Sequence, residues 1–206
     1  MSYNKSNKAS FEFIKKELTL KLSGSIFTSE NLKELHTILT DINNDKSVKK
    51  VFLSGNFNSG LLLKDIMLLN KDKKELSNFL LFLQSITKCI EESPIVFIAN
   101  LDGLVQGPAL EIALACNFRV AKEKTTFAFN EVSNGLMPLL GSIQRLSRII
   151  GYKNTLKILL MEKKLNYNDA INNKLIFEDN KKISNLKKNR FFWDQSFTNT
   201  FILYNS

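Results

Sequence analysis

An α/β fold with mostly parallel strands is what this chain of 206 residues predicts, and three observations carry that reading. Short apolar or alternating runs recur along the chain, separated by stretches whose apolar residues have helical spacing, the order expected of strand–helix–strand units. One run, Ile95-Val96-Phe97-Ile98-Ala99, is apolar at every position, which suits a strand covered on both faces. With 8 Gly, 3 Pro and 2 Cys, the composition excludes collagen-like, disulfide-stapled and strongly disordered classes. The length suits one domain with one core.

Taken in order, residues 1–10 are polar and expected to be loose. Leu18-Thr19-Leu20-Lys21-Leu22 alternates and reads as a strand closing on Ser23-Gly24. Thr28-Ser29-Glu30 offers an N-cap, after which Leu32, Leu35, Ile38, Leu39 and Ile42 recur at helical spacing. Val51-Phe52-Leu53 is a second strand, and Asn56–Gly60 a turn leading to a helical stretch over Leu61–Leu69. A long amphipathic helix fits Lys73–Glu92 and stops at Ser93-Pro94, since the residue before proline disfavours helical backbone. After the apolar strand, Asp102-Gly103 turns the chain and Pro108–Cys116 reads as a helix with proline at its first position. Phe118–Ala121 and Thr126–Phe129 are short strands, followed by helices at Ser142–Ile150, Lys153–Met161 and Asn168–Lys174. Past Ile176 the chain becomes polar and then aromatic without a period. Residues 11–178 are thus the expected domain and 179–206 a C-terminal extension.

The net charge is +9, which ordinarily raises a polyanion as partner. Its distribution argues otherwise: the excess is +3 in each of residues 1–60, 61–160 and 161–206, with no concentrated patch. Only four of the 29 bases are Arg, the residue that nucleic-acid readers favour for bidentate contacts. A joint abundance of Lys and Asn is what AT-rich codons produce, so a solvated Lys surface is expected, with no nucleic acid as partner. Apolar runs are too short to span a membrane. The first residues lack a signal core, so a cytoplasmic location is expected. Cys89 and Cys116 lie in apolar helical contexts and read as reduced packing residues. His36 lies in an amphipathic helix without an evident Cys or Asp partner. No P-loop, GxGxxG, CxxC or HExxH pattern occurs, so no metal or nucleotide site is expected.

Two carboxylates stand out by context. Glu111 is the only charge in Gly107–Cys116, and Glu131 follows the apolar Phe127-Ala128-Phe129. Apolar surroundings favour the acid form of a carboxyl and bring its proton exchange toward neutrality.

Several segments together resemble the enoyl-CoA hydratase/isomerase, or crotonase, superfamily. Gly107-Pro108-Ala109-Leu110-Glu111-Ile112-Ala113 is similar to that family's GGGxELA turn and helix. Asn130-Glu131 through Gly135, Pro138, Gly141 and Gln144-Arg145-Leu146 is similar to its PExxxGxxPGxGGTQRL stretch. Phe57-Asn58-Ser59-Gly60-Leu61-Leu62-Leu63-Lys64 resembles the FxAGADLK loop, and Asn168-Asp169-Ala170 to Leu175-Ile176 resembles AxEAxxxGLV. The ordered matches cover residues 18–176. Leu110 and the Ala-Leu-Ala-Cys after Ile112 look most like the hydratase domains of multifunctional fatty-acid β-oxidation proteins.

The resemblance implies a crotonase-type ββα superhelix with a shortened C-terminal helical part. It also implies an acyl-CoA thioester as ligand, coenzyme A entering as part of the substrate with no separate cofactor, and a trimer-based homo-oligomer. In the family two backbone N–H groups form an oxyanion hole for the thioester carbonyl, and two Glu side chains handle water and proton during hydration of a 2-enoyl-CoA. By matching position, Glu111 and Glu131 are the catalytic pair and Leu61 the first donor. Ser59, Gly60, Lys64 and Gly107 fall at substrate-binding positions. The second donor position is Pro108, which has no N–H; Ala109 or Leu110 is left to substitute, since first-turn N–H groups lack an intrahelical partner. Leu62 stands where the family has Asp, Leu139 and Leu140 where it has small residues, and residues 22–28 lack the NxPxxxNA loop. The chain also ends soon after Ile176. These departures motivate a second expectation from another class, a catalytically degenerate family member acting as a binding or assembly subunit.

Overall fold

Leu18, Leu20 and Leu22 are buried while Lys21 is exposed, so the alternation in the sequence becomes a strand with one face in the core. The computed structural model describes residues 9–14, 17–22, 29–58, 72–178 and 183. A five-stranded sheet has β1 (Ala9–Ile14), β2 (Glu17–Leu22), β3 (Lys50–Gly55), β4 (Val96–Leu101) and β6 (Phe118–Ala121) in that spatial order. β1 runs antiparallel to β2, and the remaining pairs are parallel. A second, smaller sheet pairs β5 (Leu104–Gln106) with β7 (Thr126–Ala128), also in parallel.

The two sheets are built by one repeated course of the chain. β4 joins the large sheet, β5 the small one, and helix α3 (Gly107–Ala115) returns the chain; β6 then pairs with β4 and β7 with β5. The previous course leaves its mark where Asn58, just beyond β3, bridges Gln106 in parallel. This is a ββα superhelix, and the α/β class read from the sequence holds.

Helices α1 (Ser29–Asn44) and α2 (Lys73–Glu91) pack together, with His36 against Phe82; α1 buries Leu32, Leu35, Leu39 and Ile42 and α2 buries Leu83, Ile86 and Ile90. Asp72 caps α2 by accepting from the N–H groups of Lys74 and Glu75. The remaining helices are α4 (Ser142–Ile150), α5 (Tyr152–Leu160) and α6 (Tyr167–Asn172). The opposite face of the large sheet carries a smaller cluster of Ile98, Val120 and Ile183 with Phe52, Val96 and Phe118 against it. Two covered faces explain the unbroken apolar run of β4.

Gly55 ends β3 at φ +109°, and a Cβ there would lie 2.1 Å from the Leu22 carbonyl oxygen, which itself accepts the Asn56 N–H at 2.9 Å. Only glycine allows that close approach between β2 and the chain leaving β3.

Four sequence expectations change. Ala9 and Ser10, expected to be loose, belong to β1, and β5 occupies residues between the Asp102-Gly103 turn and the expected helix, where the sequence reading assigns no element. Helix α3 begins at Gly107, which makes Pro108 its second residue. His36 does have a cysteine neighbour: packing of α1 on α2 brings Cys89 Sγ to 3.6 Å from its Nε2. Both cysteines are free thiols, and burial pushes that of Cys116 up to about 12. The helical stretch expected over Leu61–Leu69 lies outside the described residues.

Candidate functional site

Every residue of α3 from Gly107 to Ala115 is buried, so the helix is interior on all sides and Glu111 is a carboxylate placed deep in the core. Such a group needs donors, and the loop before α4 supplies them. The Leu139 N–H donates to Glu111 Oε1 at 3.1 Å; the Leu140 N–H and the Ser142 N–H donate to Oε2 at 2.8 and 3.3 Å. The Ser142 hydroxyl adds a bond of 2.6 Å to the same oxygen. Burial raises the Glu111 pKa and these four hydrogen bonds oppose the rise. Oε2 is saturated, while Oε1 has one donor and keeps a lone pair.

The same loop is held from two further sides. The Leu140 carbonyl accepts from Thr87 Oγ1 of α2 at 2.9 Å and from Arg145 Nη1, and Arg145 Nη2 pairs with Glu91 at 2.7 Å. Gly141, at φ +94°, carries the chain over the Arg145 guanidinium, where a Cβ would come within 2.6 Å of Nη1. Leu140 is buried in the main core and Leu139 packs against that core. Their bulk is part of the packing around Glu111.

Glu131 has a different setting. It follows β7 and opens a 3-10 turn, Val132–Asn134, its own carbonyl accepting from Asn134 N at 3.0 Å and Leu136 N at 2.9 Å. The residue is 1% exposed, yet neither carboxylate oxygen has a hydrogen-bond partner. Burial is the main cause that pushes its pKa from the usual 4.5 up to about 7, and the charge of Glu111 adds to the rise. The backbone N–H groups of Glu131 and Asn130 pull the other way, from positions that do not meet hydrogen-bond geometry. Glu162 contributes a further, smaller push upward. The fold therefore brings together the two carboxylates that sequence context singled out, one holding four hydrogen-bond donors and one without any.

The start of α3 lies one helical turn before Glu111. Four N–H positions at a helix start lack intrahelical partners: here Gln106, Gly107, Pro108 and Ala109. The Gln106 N–H goes to the Phe57 carbonyl at 3.1 Å, and Pro108 has none. Ala109 is the first-turn position whose N–H remains. Leu110 lies one residue too far along to offer a free N–H, which removes it as a substitute donor. Gln106 Nε2 also donates to Asn58 Oδ1 at 2.8 Å, so the residue preceding Ser59 is tied to the entrance of α3. Ser59, Gly60, Leu61, Leu62 and Lys64 lie outside the described residues, as does the segment 23–28. Sequence reading did not assign Ser142 or Glu162, the latter donating no signal because its partner is 29 residues away. Among the described residues no three His, Cys, Asp or Glu side chains group to hold a metal ion, and no helix is long and apolar enough to cross a membrane.

A ββα superhelix of this kind is the crotonase-type fold, and the comparisons agree with that class. The family model described as enoyl-CoA hydratase/isomerase matches residues 25–182. The chain belongs to that family. It is 28% identical over 167 residues to the probable mitochondrial enoyl-CoA hydratase 2 of Arabidopsis thaliana, covering 79% of this chain and 55% of that one. To the fatty acid oxidation complex subunit alpha of Shewanella frigidimarina it is 32% identical over 180 residues, covering 78% of this chain and 25% of that one. Among solved structures, an enoyl-CoA hydratase of Geobacillus kaustophilus superposes with a TM-score of 0.75 at 27% identity, covering 84% of this chain and 68% of that one. The chain thus spans about half the length of the first of these relatives and a quarter of the second.

Proposed function

We propose that this chain binds a CoA thioester and adds water across the double bond of a 2-enoyl-CoA, with Glu131 and Glu111 as its acid/base groups. The observation that carries the reading is Glu131: a buried carboxyl with no internal partner and a proton affinity near neutrality has the character of a proton donor and acceptor. In the hydration, the water oxygen bonds C3 and one water proton passes to Glu111 Oε1, whose lone pair is free. The proton of Glu131 goes to C2, and return of a proton from Glu111 to Glu131 resets the pair. The charge that develops on the thioester oxygen falls to backbone N–H groups, with Leu61 as the first and Ala109 in place of the donor that Pro108 lacks.

Titration of the purified chain with butyryl-CoA in a calorimeter tests the binding half of this reading. Saturable heat with one thioester per chain is expected, and its absence in folded protein contradicts the proposal. If Pro108 limits the chemistry, Pro108→Gly raises the rate of crotonyl-CoA hydration toward the roughly 10²–10³-fold that one oxyanion donor supplies. An unchanged or lower rate rejects Pro108 as the limiting feature. The missing N–H at Pro108 also favours the second reading, a family member that binds thioesters or assembles with a partner without turnover; binding heat with no hydration is its signature.

A further inference from the structure

The residue after the C-cap of α5 is a glutamate in left-handed backbone, Glu162 at φ +48°. Glycine fills that conformation without strain, whereas a side chain there costs about 1–2 kcal/mol. What the backbone achieves is the placing of a carboxylate: Glu162 Oε1 accepts the Ser133 N–H at 2.6 Å, in the 3-10 turn that Glu131 opens. The same turn is closed locally by Ser133 Oγ and Asn134 Nδ2, which donate to the Asn130 carbonyl at 3.0 and 2.7 Å. Glu162 is the contact that reaches it from another element.

Resting on the hydratase reading for its catalytic meaning, we infer that Glu162 is a positioning residue for Glu131, fixing from the segment after α5 the turn that Glu131 opens and bringing a second carboxylate to that turn. Strain kept at one residue to serve its neighbour's chemistry is a recurring feature of active sites. Among the described residues, the ionisable groups that act on Glu131 across space are Glu111 from α3 and Glu162, both acidic. Lys163 and Lys164, next to Glu162 in the chain, are exposed to solvent. Nothing basic among these groups offsets the two carboxylates at Glu131.

The test is a carbon-detected NMR titration of the Glu131 side-chain carboxyl in the full chain, in wild type, Glu162→Gln and Glu162→Gly. Glutamine keeps an oxygen for the Ser133 N–H and removes only the charge; glycine removes the side chain and suits the backbone. In both, the midpoint of Glu131 is expected to fall from about 7. A midpoint unmoved in both overturns the inference and leaves Glu162 as a cap on the turn. Crotonyl-CoA kinetics on the same variants separate this from the hydratase reading. A moved midpoint in a protein without turnover upholds the positioning role and sinks the activity, whereas turnover with an unmoved midpoint does the reverse.

Discussion

Replacing Glu111 with alanine is expected to cost roughly 3–5 kcal/mol of stability, enough to unfold many domains of this size. The reason is the number of donors it satisfies. Three backbone N–H groups and one hydroxyl, from Leu139, Leu140 and Ser142, converge on its two oxygens inside the core. Alanine leaves all of them unpaired around a cavity, and the loop cannot turn them to water while Thr87 and Arg145 hold the Leu140 carbonyl. Glu111→Gln keeps the shape and an oxygen for the Oε2 donors but sets its amide against the Leu139 N–H, a loss of about 1–3 kcal/mol. Urea unfolding of both variants measures these values; an alanine variant within 1 kcal/mol of wild type, roughly the worth of a single hydrogen bond, refutes the anchoring role.

Glu131 is expected to make the protein less stable as the pH rises. Its pKa in the fold is about 7 against 4.5 for the ordinary group, so the folded state binds the extra proton between those values. Stability contributed by this group is therefore full below about pH 4.5 and is lost as pH climbs through about 7, by roughly 3 kcal/mol in total. Denaturant midpoints from pH 5 to 8 should fall in the wild type and fall less in Glu131→Gln, which has no such proton to lose. A variant with the wild-type slope contradicts the assignment. The same ionisation governs chemistry: with Glu131 as the proton donor to C2, the hydration rate declines above pH 7, and the limb belongs to the Glu111–Glu131 pair as a unit because the two charges interact.

Much of this was legible in the sequence because it depends on local pattern. Helix α4 and strand β6 are found at the residues the sequence predicts, and β3 contains the expected Val51-Phe52-Leu53 and extends beyond it at both ends. Glu111 and Glu131 were visible as charges in apolar surroundings, and burying a carboxylate without a reason is costly enough to be informative. What the sequence hid depends on distant contact. Strand β5 has three residues, too few for a period, and exists because β7 lies beside it. Phe11-Glu12-Phe13 does alternate, but its place in β1 is set by pairing with β2. His36 and Cys89 are 53 residues apart and meet only when α1 packs on α2. The difference between the two site carboxylates was equally hidden: four donors on Glu111 and none on Glu131 follow from where the loop before α4 closes over α3. Glu162 carries no mark at all, since nothing in its neighbours announces a left-handed glutamate.

The central claim is that Glu131 exchanges the proton in a reaction on a bound enoyl thioester. Loss of the conjugated-thioester absorbance of crotonyl-CoA, followed with purified wild type and Glu131→Gln side by side at pH 7, tests it most directly. The account predicts turnover by the wild type and a rate lower by roughly 10²–10⁴-fold in the variant, with butyryl-CoA still bound by both. A folded wild type that leaves crotonyl-CoA unchanged, or a variant as fast as the wild type, would contradict it.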